Sequence, residues 1–169
     1  VGAEALVRWI HPERGMIYPN EFIPVIEENG FIKMVDYYIW EEASKFIKRC
    51  TDIGIEDCPV SVNVSRHHLK DTEFMFVLMD DIKRHQIKKK LLELEITETA
   101  NDEQIGQAAM RLKLDGFTLL MDDFGSGYSS LNVLLETPFD VIKLDKKFMD
   151  NMMASDKGKL ILEHMVSMA

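Results

Sequence analysis

An α/β fold built on parallel strands is predicted by three features of this sequence. Five short segments rich in Val, Ile and Leu lie near 2–9, 59–65, 91–96, 117–122 and 140–144. Amphipathic stretches of helical period separate them, so the strands are joined by crossovers and run parallel, with both sheet faces covered or the sheet closed into a barrel. No low-complexity segment, long linker or internal repeat interrupts the pattern, and the 169 residues read as one domain.

The elements follow in order. The first strand segment contains Gly2-Ala3-Glu4-Ala5-Leu6. Pro19-Asn20-Glu21-Phe22 opens a helix whose apolar residues are Phe22, Ile23, Val25 and Ile26, with Gly30 as its stop. A second helix over about 32–48 has Val35, Ile39, Ala43, Phe46 and Ile47 as its expected buried stripe. After the strand Val60-Ser61-Val62-Asn63-Val64-Ser65, the pair His67-His68 is expected in a solvated loop. Phe74, Val77, Leu78 and Ile82 recur at helical spacing, and further helices are expected over about 102–114 and 156–168.

Bulk composition narrows the class. With 46% hydrophobic and 29% charged residues the chain can bury a real core, which argues against disorder. No run approaches the roughly 20 apolar residues needed to span a bilayer, and the start lacks a signal-peptide pattern, so a cytoplasmic domain without membrane contact is expected. A net charge of -9 argues against duplex nucleic acid as a partner, because phosphate contacts need a basic face. An acidic protein that handles phosphates needs metal ions to bridge the like charges. Cys50 and Cys58 match neither a zinc knuckle nor a redox motif and are expected as reduced thiols.

The chemistry is concentrated at the ends of the strand segments. Glu4, Asn63, Glu95, the pair Asp122-Asp123 and Lys143 are polar residues set in apolar surroundings. Side chains alternate along a strand, so Ser61, Asn63 and Ser65 share one face, as do Glu93, Glu95 and Thr97, while Val62, Val64, Leu94 and Ile96 take the other. The apolar set would meet helices. The polar set would converge where parallel barrels gather functional groups. Ion pairing alone would account for some of these charges, but five acidic or amide groups against one lysine leave an excess of negative charge that a hard cation would neutralise. Carboxylates and a carboxamide oxygen suit Mg²⁺ or Mn²⁺ rather than zinc. Two such ions support phosphoryl transfer, with Lys143 near the attacking water and Arg8 on a substrate phosphate.

These motifs resemble the EAL-domain family of bacterial cyclic di-GMP phosphodiesterases. Glu4-Ala5-Leu6-Val7-Arg8-Trp9 contains the signature triplet, and Ser61-Val62-Asn63-Val64-Ser65, Glu95-Ile96-Thr97-Glu98, Asp122-Asp123-Phe124-Gly125-Ser126-Gly127-Tyr128-Ser129-Ser130-Leu131 and Lys143-Leu144-Asp145-Lys146-Lys147-Phe148 match in order. The resemblance implies a modified (β/α)₈ barrel, similar to a TIM barrel, that hydrolyses cyclic di-GMP to linear pGpG with two Mg²⁺ or Mn²⁺ ions. It implies Glu4, Asn63, Glu95, Asp122 and Asp123 as metal ligands and Lys143, Glu95 and Asp122 as catalytic. Arg8, Leu6 and Asp123 become substrate contacts. Glu98 becomes a brace for the loop after the Asp pair, although a helix-start charge explains it equally well.

Three parts of the family pattern have no counterpart: the first strand, the later Ala-Glu-Gly-Val-Glu strand and the last strand. About five of eight barrel strands are therefore expected, a partial domain over 1–169 with little or no turnover of its own. Its open edges would favour a homodimer or an exchange of elements between copies, with Leu160, Ile161, Leu162, Met165 and Val166 of the last helix in the contact. The alternative is a degenerate module that binds cyclic di-GMP or dimerises without turnover.

Overall fold

The computed structural model describes residues 2–69, 73–97, 103–125 and 137–168. Its centre is a curled parallel sheet of β1 (Ala3–Glu4), β4 (Val60–Asn63), β5 (Leu92–Thr97), β6 (Leu119–Phe124) and β7 (Val141–Leu144), adjacent in chain order. Between β1 and β4 lie an antiparallel hairpin of β2 (Trp9–His11) and β3 (Gly15–Ile17) and the helices α1 (Pro19–Glu28) and α2 (Ile32–Asp52). The later crossovers carry α3 (Arg66–Leu69), α4 (Glu73–His85) and α5 (Glu103–Leu114), and α6 (Lys146–Met153) and α7 (Asp156–Met168) follow β7. Sequential strand order in a curled parallel sheet makes half of a barrel, as the sequence pattern predicts.

Alternation sorts the sheet as expected. Val60, Val62 and Val64 are buried with Leu92, Leu94 and Ile96 on one face, packed in a single core with Trp40, Ile47, Phe74, Leu78 and Leu112 from the helices. Leu94 is fully buried, and truncating such a leucine to alanine typically costs about 2–5 kcal/mol. The end of α5 shows how the next strand is aimed. Gly116 adopts a left-handed φ of 86°, its N–H bonds Lys113 O and the Phe117 N–H bonds Leu112 O, which turns Phe117 into the core just before β6.

The structure departs from the sequence expectation in several places. The first strand is two residues long, because after Ala5 donates to Ser61 O the chain leaves the sheet for the hairpin that begins at Trp9. Helix α6 was not expected; the Asp145 carboxylate starts it by accepting the Phe148 N–H at 2.9 Å. The stripe of α2 is rotated from the predicted one: Ile32, Asp36, Trp40, Ala43, Ser44, Ile47 and Cys50 are buried, whereas Phe46 is 41% exposed. The polar atoms of Asp36 and Trp40 have partners, so these residues occupy the inner face and Phe46 is displaced outward. His68 is not in a solvated loop but on α3 and fully buried, ringed by Tyr37, Trp40 and Phe74 with Nε2 3.0 Å from Asp36 Oδ2. Cys50 and Cys58 are both free thiols, as expected. Among the described residues no helix is long and apolar enough to cross a membrane.

Candidate active site

At the C-terminal ends of the strands, three carboxylates from three different strands meet one ammonium. Lys143 Nζ lies 3.0 Å from Glu4 Oε2, 2.9 Å from both Glu95 oxygens and 3.2 Å from Asp122 Oδ1. The Glu95 side chain is 1% exposed, and a carboxylate so buried requires a counter-charge. Burial of Lys143 by itself would lower its pKa, but hydrogen bonds to Glu95 and Glu4 and the charges of Glu95 and Asp122 outweigh it and raise the pKa. Lys143 is therefore a permanent cation and hydrogen-bond donor at neutral pH.

The Asp pair owes its placement to a bulge. Met121 pairs with Ile142 and Phe124 with Leu144, so Asp122 and Asp123 together stand opposite the single residue Lys143. Asp123 takes a left-handed φ of 55°, which a short carboxylate tolerates better than most side chains. Asp122 thereby reaches Lys143 while Asp123 faces a neighbouring cavity. Burial, then the charges of Asp122 and Asp145, push the Asp123 carboxyl above its ordinary value.

That cavity, about 700 Å³, lies between the ends of β1, β4 and β6 and the helices α1 and α2. Leu6, Arg8, Asn63 and Asp123 line it, with apolar walls from Ile23, Pro24, Val35 and Ile39. Leu6 is 53% exposed, presenting an apolar surface at the cavity, and the Arg8 guanidinium bonds the neighbouring Val7 O. Asn63 sits in register with Glu95, which places the cavity beside the carboxylate cluster. Of the residues predicted from sequence, Glu4, Glu95, Asp122 and Lys143 form one contact group and Leu6, Arg8, Asn63 and Asp123 line the adjoining space. Glu98 lies outside the described residues.

Among the described residues no three His, Cys, Asp or Glu side chains stand in a ready metal-holding arrangement, and the Lys143 ammonium fills the point on which the three carboxylates converge. The donor chemistry nevertheless fits a hard divalent cation. Three carboxylates share one ammonium, Asp123 is pushed toward its neutral form by burial and then by the charges of Asp122 and Asp145, and all the candidate donors are oxygens.

The EAL-domain family model matches residues 1–169. The chain belongs to the EAL-domain family. It is 39% identical over 166 residues to an uncharacterized signaling protein of Caulobacter vibrioides, covering 95% of the chain and 20% of that protein. It is 34% identical over 169 residues to the cyclic di-GMP phosphodiesterase NbdA of Pseudomonas aeruginosa, covering 98% of the chain and 22% of that protein. The chain thus spans about a fifth of these curated relatives. Among solved structures it resembles the PaMucR phosphodiesterase in its c-di-GMP complex, with a TM-score of 0.87 and 30% identity over 97% of this chain and 68% of that one. The EAL enzyme Bd1971 in its cAMP and cyclic-di-GMP bound form gives a TM-score of 0.88 at 26% identity, over 98% of this EAL chain and 47% of that one.

Sequence reasoning missed the residues behind the EAL site. Trp40 Nε1 donates to Asn63 O at 3.0 Å, and Asp36 Oδ2 accepts the Ser65 N–H at 3.3 Å. The available signal was a carboxylate in the sequence one turn from Trp40, on a helix side that buries no other charged residue and whose remaining buried polar residue is Ser44.

Proposed function

We propose that the protein carrying this EAL domain hydrolyses one phosphodiester bond of cyclic di-GMP to give linear pGpG, using Mg²⁺ or Mn²⁺. The observation that carries this reading is the meeting of Glu4, Glu95 and Asp122 at Lys143, beside a cavity that holds Arg8 and Leu6. The relative named as a cyclic di-GMP phosphodiesterase and the neighbour solved with c-di-GMP support it.

Glu4, Asn63, Glu95, Asp122 and Asp123 would hold the metal, two ions in the complete domain. When bound, the metal supplies a Lewis acid that polarises a phosphoryl oxygen and makes water a nucleophile at neutral pH. The remaining work falls to the chain. Arg8 pairs with a phosphate of the dinucleotide, Leu6 packs against a base, and Asp123 contacts the substrate from the bulge. Lys143, held protonated by Glu95 and Glu4, donates hydrogen bonds at the reacting water and stabilises negative charge as it develops; its raised pKa makes it a poor base. Glu95 and Asp122 keep that ammonium charged and in place.

The stretch 1–169 alone is proposed to have little or no turnover, since its five strands leave β1 and β7 each paired on one side among the described residues. Those edges, with Leu160 and Ile161 exposed on α7, favour association with a second copy. The whole protein is proposed to act in the cytoplasm.

The test is incubation of the full protein with cyclic di-GMP and Mg²⁺ or Mn²⁺, followed by chromatography for pGpG. Product that disappears in Lys143→Ala supports hydrolysis. Saturable binding without product would replace the reading with a receptor, and neither binding nor product would leave an assembly module.

A further inference from the structure

The segment Asn63-Val64-Ser65 is gripped at three consecutive positions. Asn63 O accepts from Trp40 Nε1 at 3.0 Å, the Val64 N–H donates to Glu95 O at 2.8 Å, and the Ser65 N–H donates to Asp36 Oδ2 at 3.3 Å. Two of these three grips come from one helix, and Asp36 and Trp40 are one turn apart on its buried face. The third ties the same segment to the strand that carries Glu95. Behind the grip, His68 Nε2 lies 3.0 Å from Asp36 Oδ2, and its ring packs 4.7 Å from that of Trp40. His68 and Trp40 are both fully buried, so the assembly has no room to swing.

We propose that Asp36 and Trp40 are positioning residues: helix α2 clamps the backbone at the Asn63 carbonyl and again two residues on at the Ser65 N–H, and thereby fixes the carboxamide relative to Glu95. This rests on the reading of Asn63 as a cation ligand. Residues that orient a metal's ligands change affinity by about 10–100-fold when lost, without touching substrate themselves. Asp36 also borders the cavity, so its burial against His68 and Ser65 keeps its charge turned away from an anionic ligand.

Trp40→Phe removes the indole donor and keeps an aromatic ring in the core. Asp36→Asn keeps the shape and an acceptor but removes the charge that faces His68. Both would be made in the full protein, with thermal melts establishing the folded fraction. Two readouts follow. Amide hydrogen exchange of Val64 and Ser65 is expected to quicken about tenfold or more in at least one variant, while Leu94, bonded to Thr118 O, is unchanged. Mn²⁺ titrated without substrate is expected to half-saturate at about tenfold or higher concentration, with the KM for cyclic di-GMP at saturating metal little altered in Trp40→Phe, whose ring does not line the cavity.

Unchanged exchange at Ser65 in both folded variants would overturn the clamp, whatever the metal does. Faster exchange with Mn²⁺ half-saturation within twofold of the parent would also overturn it, since a merely structural contact would behave that way. If the parent itself binds no Mn²⁺, the ligand role of Asn63 fails in the parent, and the clamp's purpose is overturned with it.

Discussion

Replacing Lys143 with methionine tests the charge balance of the site. The substitution keeps an unbranched chain of similar length and deletes the ammonium that lies within 3.2 Å of Glu4, Glu95 and Asp122. Glu95, 1% exposed, is then a buried carboxylate beside two others without its cation. Removing one partner of a fully buried pair costs about 3–5 kcal/mol. Lys143 itself is 32% exposed, so water reaches the vacated space and offsets part of the loss. A net cost of about 2 kcal/mol is expected from these two considerations. For a domain of this size that lowers Tm by about 4–8 °C at roughly 2–4 °C per kcal/mol. The assay is a calorimetric melt in EDTA and again with excess Mn²⁺, which should restore more of the variant's Tm than it adds to the parent's because it neutralises the same carboxylates. A variant as stable as the parent in EDTA would refute the reasoning that Lys143 holds mutually repelling carboxylates together.

Other perturbations give separate checks. Asp123→Asn should stabilise the metal-free protein at pH 7 by under about 1 kcal/mol, because the carboxyl is partly desolvated, sits near Asp122 and Asp145, and asparagine tolerates a φ of 55°. The sign with pH follows from the raised pKa: the folded state binds the proton more tightly, so the carboxylate's penalty is present at neutral pH and fades as pH falls through the folded value. Melts at pH 7 and pH 4 should therefore show a gain that shrinks in acid, and a gain that grows in acid would contradict the assignment. Gly125→Ala should destabilise by more than about 1 kcal/mol, since Gly125 has a φ of 93° and an added Cβ would overlap the Phe148 ring; an unchanged denaturant midpoint would count against that packing. Arg8→Ala should raise KM for cyclic di-GMP roughly ten- to hundredfold with a smaller change in kcat, the loss of one charge-assisted phosphate contact, and steady-state kinetics on the full protein would read it.

The site was legible in sequence where periodicity and chemistry pointed the same way. Glu4, Asn63, Glu95, Asp122 and Lys143 each interrupt an apolar strand segment, and parallel strands in chain order place such interruptions at one end of a sheet. The bulge was not legible, because alternation assumes an unbroken register and assigns Asp122 and Asp123 to opposite faces. A one-residue slip between Met121 and Phe124 brings both opposite Lys143. The inner face of α2 was misread for a related reason. Hydrophobicity sends Asp36 outward, whereas its 3.0 Å approach to His68 Nε2 and its hydrogen bond from the Ser65 N–H allow it inside and turn Phe46 to solvent. His68 shows the same principle from the other partner. Helix α6 carried a visible signal in Asp145, a carboxylate placed to cap, which strand periodicity by itself does not reveal.

Titration of Mn²⁺ into the metal-stripped full protein, followed by the fall in the free-ion paramagnetic signal, reaches the central claim most directly. Saturable binding that Glu95→Gln and Asp122→Asn each weaken at least tenfold is expected. Binding of equal strength in the parent and in both folded variants would contradict a metal site at these strand ends.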